Sequence, residues 1–511
     1  MVFALLIIFF SAISVFLMSY MTMNTELGPW VAPLFIVMCT MFAIPLLSRR
    51  LFAKYATIMI AAGSIGGMVG MCLGLSIPSF YFVHKAEFLM MMARPLHFAG
   101  LISMFVLCAG AFAFVLAYLL KDHLIIEKKL PFPMVKLLHD IISIDSKSSM
   151  SSGHRLMLSG LGLVSVFNML TMMARPVLHV FRAQIHIIPF MMTAGFVAGR
   201  LTLIPVCIGV GTRILAFQFV HHQFFASMHE IEFLITFCSG ILLALFLRVW
   251  LHSFVIYRQI KDFFPKSIKL FMQDWRLLLL GVGTFLCSCV LLYFCGVSWE
   301  ILIYLMSFLI ITCWNIARIL GQIGVVDIIS FSWFIILPLI YGVIAIPSSS
   351  VVAAALFAML CLGMVIDLIF SYKLASLAKI SYQKILQYQL LGFLTTILIS
   401  GFAMWWHIHT FGFDSAKLTS PQALELGQLI QFGAYDHVVL LCGVACGIIL
   451  QMFRKEMFTI VGAALMMPSM SIWLIIAGVL SHVVKNPEKL YPMWFGVYAG
   501  QVCWIVMRLV I

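Results

Sequence analysis

The sequence predicts an all-α polytopic membrane protein of about sixteen transmembrane helices, in two parallel eight-helix halves, with a short re-entrant or interfacial segment near residues 130–145. Three observations predict it. Of 511 residues, 64% are hydrophobic and only 10% are charged, whereas a soluble chain uses about a quarter charged residues to coat its surface. Sixteen stretches approach the roughly 20 apolar residues that a spanning helix needs. Lys and Arg gather in alternate loops, as the positive-inside bias requires.

In chain order the stretches are 2–22, 29–48, 56–80, 97–120, 155–173, 183–199, 202–220, 231–250, 277–296, 299–317, 325–346, 350–371, 387–406, 432–452, 457–482 and 492–510. The first is read as a retained helix, because no basic region or small-residue cleavage site brackets it. With Met1 cytoplasmic, the inside loops carry Arg49, Arg50 and Lys54, then Lys121 to Arg155, then Arg258 to Arg276, then Lys373, Lys379 and Lys384, then Arg454 and Lys455. The outside loops are poorer, though Lys85, Arg94, Arg175, Arg182, Lys417, Lys485 and Lys489 fall there. Both termini are expected in the cytoplasm, and compact loops favour a bacterial cytoplasmic membrane.

The charged connection 251–276 divides the chain into a first half, 1–250, and a second half, 277–511. Each half places a polar connection after its fourth helix, at 121–154 and 372–386, so both enter the membrane in one sense, as parallel repeats do. The segment Leu130-Pro-Phe-Pro133 is too short to span; its prolines force an extended entry before an amphipathic turn.

Within this apolar frame the polar positions are few. Met-Met-Ala-Arg-Pro occurs at Met91 to Pro95 and again at Met172 to Pro176, with His97 and His179 close behind. Arg94 and Arg175 either snorkel to the interface or form a matched pair at an outer mouth that attracts carboxylates. Arg200 and Arg213 flank a stretch rich in Gly and Pro, read as unwound backbone at a binding site or as tight small-residue packing. Glu232, Asp327 and Asp367 lie in or at the ends of apolar stretches. Burial favours the neutral form of a carboxyl, so each is a candidate proton carrier, or else an interfacial residue paired with Arg. Asn168, and Asn315 with Arg318, are polar positions that can line the same path.

Several classes are excluded. The net charge of +13 is the loop bias, since no long basic segment offers a nucleic-acid face. Thirteen scattered cysteines show no standard zinc spacing, and the sequence assigns no metal ligands. There is no phosphate loop, zinc-protease motif, nucleophile elbow or paired-Asp motif, so no catalytic residue is assigned. With no room for a nucleotide-binding domain, ion-coupled transport is the economical mechanism.

The last quarter resembles the oligopeptide transporter family, which includes the yellow stripe-like metal-chelate carriers. Ser420-Pro421-Gln422-Ala423 followed by Gly427 to Gly433 looks like the family's Ala-Pro-Gln-Ala segment and next helix. Gly443 to Gly447, Val461 to Pro468 with Gly478, and Gly496 to Gly500 resemble its closing helices. Asp367 to Gln389, with Lys384 and Gln387, is similar to the linker before its thirteenth helix, and Leu130 to Pro133 resembles its Leu-Pro-(Phe/Tyr)-Pro segment; Met134 to His139 departs from the sequence that follows there. The resemblance implies proton-coupled import of small peptides, peptide-like solutes or metal chelates, with Gln422 added to the substrate-binding candidates. The implied partners are a peptide or small-molecule substrate and membrane lipid, with a homodimer open and no nucleic acid; no cofactor is expected beyond the proton gradient. The competing readings are a membrane enzyme acting on a lipid-linked substrate and a non-transporting subunit of a membrane complex.

Overall fold

The computed structural model of the chain describes residues 2–24, 52–144, 152–174, 178–180, 183–185, 189–216, 218, 233–234, 236–241, 243–244, 275–323, 347–413, 418, 420, 423–424, 426–427, 430, 436–450 and 468–510. The expected spans 29–48 and 325–346 and the connection 251–274 lie outside these residues, as do parts of 231–250 and 457–482.

The described helices are α1 (Val2–Asn24), α2 (Phe52–Val83), α3 (Lys85–Met92), α4 (Pro95–Lys121), α5 (Pro133–Ile144), α6 (Ser152–Ala174), α7 (Pro189–Ala198), α8 (Arg200–Leu215), α9 (Trp275–Phe294), α10 (Trp299–Ile323), α11 (Ser348–Leu377), α12 (Tyr382–Phe411), α13 (His437–Leu450), α14 (Pro468–Val483) and α15 (Tyr491–Val510). A hairpin pairs β1 (Leu178–Val180) antiparallel with β2 (Ala183–Ile185). Seven described helices are long and apolar enough to cross a membrane: α1, α2, α4, α9, α10, α11 and α12. The chain is therefore a helical integral membrane protein.

The backbone forms two compact units, one of Met1–Ser146 with Ser253–Gly433 and one of Lys147–His252 with Ala434–Ile511. Each draws on both sides of the 251–276 connection.

The first unit holds all seven long helices, and its core is built by small residues. A Cβ on Gly66, Gly70 or Gly74 of α2 would strike the backbone oxygens of Ser11, Val15 and Ser19 in turn. Contacts that advance together along both chains make α1 and α2 parallel, packed close as small-residue stripes permit. Helix α11 runs against α2: Asp367 meets Ser64, and Met359 meets Cys72 and Ser76. Helix α12 runs against α4, with Phe393 at Gly110, the Ile397 oxygen at Ser103 and Gly401 at Ala99. It runs parallel to α1, from Phe3 at Tyr388 to Tyr20 at Phe411. Helix α9 opposes α4 through Ser288 and the Cys108 oxygen. Helices α10 and α11 run parallel: Ser350 lies by Cys295 just before α10, Cys313 meets Cys361, and the far ends share the Leu130–Phe132 segment.

Two opposed sets emerge. Helices α1, α2 and α4 are matched by α10, α11 and α12 running the other way, with α9 between the sets in sequence. The segments that follow also correspond. Phe132 (φ 46°), just before α5, donates its N–H to the Gly321 oxygen in the last turn of α10 at 2.8 Å. Ser420 (φ 38°), just before helical residues between 423 and 430, donates its N–H to the Met23 oxygen in the last turn of α1 at 2.7 Å. Positive φ is uncommon outside glycine, and each of these residues precedes a proline, Pro133 or Pro421. The expected segment at 130–145 thus packs on other helices of its unit. Phe132, Val135, Leu138 and Ile142 are buried, and Lys373 Nζ donates to the Leu130 oxygen at 3.3 Å.

The second unit holds α6, α7, α8, the helical residues between 233 and 244, α13, α14 and α15. Gly160 and Gly496 bring α6 and α15 into backbone contact, and Gly240 and Gly443 do the same for residues 233–244 and α13. Both pairs are parallel: 157 lies by 496 and 164 by 500; 237 lies by 443 and 244 by 447. Strict alternation over sixteen spans makes the fifth and the last antiparallel, and the structure differs. One further boundary differs as well. The expected helix 183–199 opens in the hairpin's second strand, since Arg182, Gln184 and His186 alternate with apolar residues at a strand's period of two; the described helix is Pro189–Ala198. The described part of the expected stretch 457–482 is helical, as α14 from Pro468.

Candidate functional site

Helix α11 supplies the site because it is buried around most of its circumference, from Ser350 to Ala375. A polar side chain there has no lipid or water to turn to. Asp367 sits about two-thirds of the way along it and is 3% exposed. Ser64 of α2, just before the glycine stripe, donates its hydroxyl to Asp367 Oδ2 at 2.9 Å. Among the described residues no Lys or Arg forms an ion pair with this carboxyl. An isolated charge in so apolar a setting is expensive, and such carboxyls characteristically hold or pass a proton.

The surroundings differ on the two sides of the pair. Toward the start of α11 lie Gly363, Met68, Cys72 and Met359: a Cβ on Gly363 would press the Cys72 and Met68 sulfurs. Cys72 Sγ donates to the Met359 oxygen at 3.4 Å, and the Ser76 hydroxyl is held by the Cys72 oxygen at 2.6 Å and Met359 Sδ at 3.0 Å. Toward the end of α11 come Ser371 and Tyr372, each 1% exposed. There Lys121 Nζ lies 4.4 Å from the Tyr118 ring and 4.9 Å from the Tyr382 ring, and bonds both carboxylate oxygens of Asp122 at 2.8 and 2.9 Å. Elsewhere in the unit, His407 Nε2 of α12 lies 2.9 Å from the Phe16 oxygen, and Gln389 is fully buried.

The other sequence candidates are dispersed. Arg94 is exposed at the N-cap of α4, with Pro95 in the first turn, so the first Met-Met-Ala-Arg-Pro copy is a helix junction. Arg200 opens α8 after Gly199, whose φ of 49° breaks the path from α7. Arg213 is partly buried in the last turn of α8, near Cys238. Asn168 of α6 donates to Gln501 Oε1 of α15 at 2.8 Å, an amide pair that fastens two helices. Asn315 lies within α10. Arg175, Glu232, Asp327 and Gln422 lie outside the described residues. Asp367 belongs to the first unit; Asn168, Arg200 and Arg213 belong to the second. Sequence reasoning missed Ser64, Ser371, Tyr372 and the Lys121 cluster. Only Lys121, a cation at the very end of an apolar run, left a signal.

Among the described residues, no group of three or more His, Cys, Asp or Glu side chains is placed to hold a metal ion. No protein-family model matches the chain, and no curated protein matches it significantly.

Proposed function

We propose that the protein is a secondary active transporter, driven by protons, that imports small peptides, peptide-like solutes or metal chelates. The observation that carries this reading is the buried Asp367–Ser64 pair, set where the central helices of two opposed sets cross. A carboxyl without a basic partner changes charge at low cost only by binding a proton. Two helix sets running in opposite senses supply the matched halves that alternating access needs. The motif resemblance to oligopeptide transporters points the same way and suggests the cargo class.

The opposed directions favour an inverted repeat, beginning at α1 and again at α10, over the parallel one expected at 251–276. The parallel pairs α1·α2 and α10·α11 each flank one expected span, 29–48 or 325–346, and a return crossing between parallel neighbours supports both. The N-terminus is cytoplasmic in this reading, in a bacterial cytoplasmic membrane. Helix α6 starts beside the basic connection 121–154, so its parallel partner α15 also starts on the cytoplasmic side. That brings Lys485 and Lys489 inside, in better accord with the charge bias, and puts the C-terminus outside.

Reconstitution tests the function. Short peptides and iron or zinc chelates are screened for accumulation in proteoliposomes with an imposed proton gradient. Accumulation of one class that collapses with a protonophore, and is lost in Asp367→Asn while exchange of the same solute persists, is the expected result. Accumulation indifferent to the gradient sinks proton coupling, and a wild-type rate in Asp367→Asn removes that carboxyl from the mechanism.

A further inference from the structure

We propose that Cys313 and Cys361 form a buried two-thiol site for a soft monovalent metal ion such as copper(I). The proposal goes beyond the transport reading and stands without it.

Cys313 lies near the middle of α10 and Cys361 near the middle of α11. The two helices run parallel, and these side chains meet across the seam between them. Both thiols are free, and both residues are 0% exposed. A single buried cysteine packs as a small hydrophobe. Two that meet from separate helices bring two soft donors to one point, held by rigid elements rather than by a loop.

The same turn of α11 meets sulfur on the side of α2 as well. Met359 and Gly363 stand on either side of Cys361 in sequence. A Cβ on Gly363 would lie 2.7 Å from Cys72 Sγ and 3.2 Å from Met68 Sδ, so both sulfurs rest against the α11 backbone. Met359 Sδ is 3.0 Å from the Ser76 hydroxyl, one turn beyond Cys72 on α2. Met68, Cys72 and Met359 are all buried. Soft donors therefore border this level of α11 toward both α10 and α2.

Ligand type and number select the ion. A closed zinc site takes four ligands, and among the described residues no third His, Cys, Asp or Glu joins the pair. Calcium and magnesium require oxygen donors. Sulfur ligands select copper(I). Binding needs a deprotonated thiol: one S–H bond breaks, its proton leaves to water, and that sulfur binds the ion while the second sulfur donates a lone pair. One positive charge enters as one leaves, so the apolar interior gains no net charge, whose burial would be costly.

Silver(I), a soft monovalent probe that needs no reductant, tests the site by binding alone. The purified full-length protein is loaded with silver(I) and washed with a competing thiol that strips exposed cysteines such as Cys207 and Cys287, and its metal content is measured. The wild type is expected to retain about one ion per chain, the load of one two-thiol site. Cys313→Ala and Cys361→Ala, which remove a sulfur without burying an unpaired hydroxyl, are each expected to lower retention about tenfold or more, since even an outer partner of a ligand is worth that much. Cys72→Ala, at an equally buried thiol, is expected to keep the wild-type load. No retention by the wild type, wild-type retention in both site variants, or an equal loss in Cys72→Ala overturns the proposal. X-ray absorption of the wild type loaded anaerobically with copper(I) needs no variant: two sulfur neighbours are expected, and a shell of nitrogen or oxygen overturns the site.

Discussion

At the scale of single residues, the geometry of Asp367 decides what its variants do. Ser64 supplies one neutral hydrogen bond, worth about 0.5–1.5 kcal/mol, far less than the cost of holding an unpaired charge away from water. Asp367→Asn keeps the shape and an acceptor for Ser64, so it is expected to fold and to lose proton-driven accumulation. Ser64→Ala is expected to lower stability by only about 1 kcal/mol and to change coupling more than folding. Thermal unfolding in detergent, set beside transport, separates the two effects; a Ser64→Ala protein that unfolds far earlier yet couples normally makes the serine a packing residue. Asp367 was legible in the sequence because a carboxylate inside an apolar run is conspicuous. Ser64 was not, since its partner lies 303 residues away and a serine among Ala and Gly looks like any small packing residue.

At the scale of elements, helix existence was readable from apolar length, and ends were readable where Pro or Gly marks them: 97–120 was expected and Pro95–Lys121 is found. Failures occurred where length and periodicity disagreed. Residues 183–185 open an expected helix, 183–199, but lie in a strand, where polar and apolar residues alternate. Partner choice was not readable, because glycine spacing does not say which helix approaches. The α1–α2 contact has no room for a side chain at Gly70, where a Cβ would meet the Val15 oxygen at 2.6 Å. Gly70→Leu is therefore expected to destabilise the first unit by about 1–3 kcal/mol, the usual cost of overpacking, whereas Gly100→Ala, inside α4 with nothing within 4 Å of its Cβ position, is expected to stabilise it by about 0.5–1 kcal/mol. Melting temperatures of the two variants check the contrast, and equal shifts would remove the close approach as a stabilising contact.

At the scale of the whole molecule, hydropathy and loop charge are blind to which helices pair, so they fixed neither the sense of the repeat nor the fate of the C-terminus. Counting stretches assigned 457–482 one crossing and left Lys485 and Lys489 outside. The parallel register of α6 and α15, read from Met157 against Gly496 and Leu161 against Gly500, carries the opposite consequence. Helix α6 begins just after Lys121 to Lys147, the basic connection that the charge bias holds in the cytoplasm; a parallel partner must begin on that side and end on the other. A cysteine or small tag placed after Ile511 should then react with a membrane-impermeant reagent in intact cells, and one placed before Met1 should react only after permeabilisation. A cysteine in the 484–490 turn should behave like the N-terminal tag. Protection of the C-terminal tag together with labelling of the turn would restore strict alternation and the cytoplasmic C-terminus. It would also mean that α6 and α15 enter from opposite faces, which the glycine-to-backbone contacts between them do not permit.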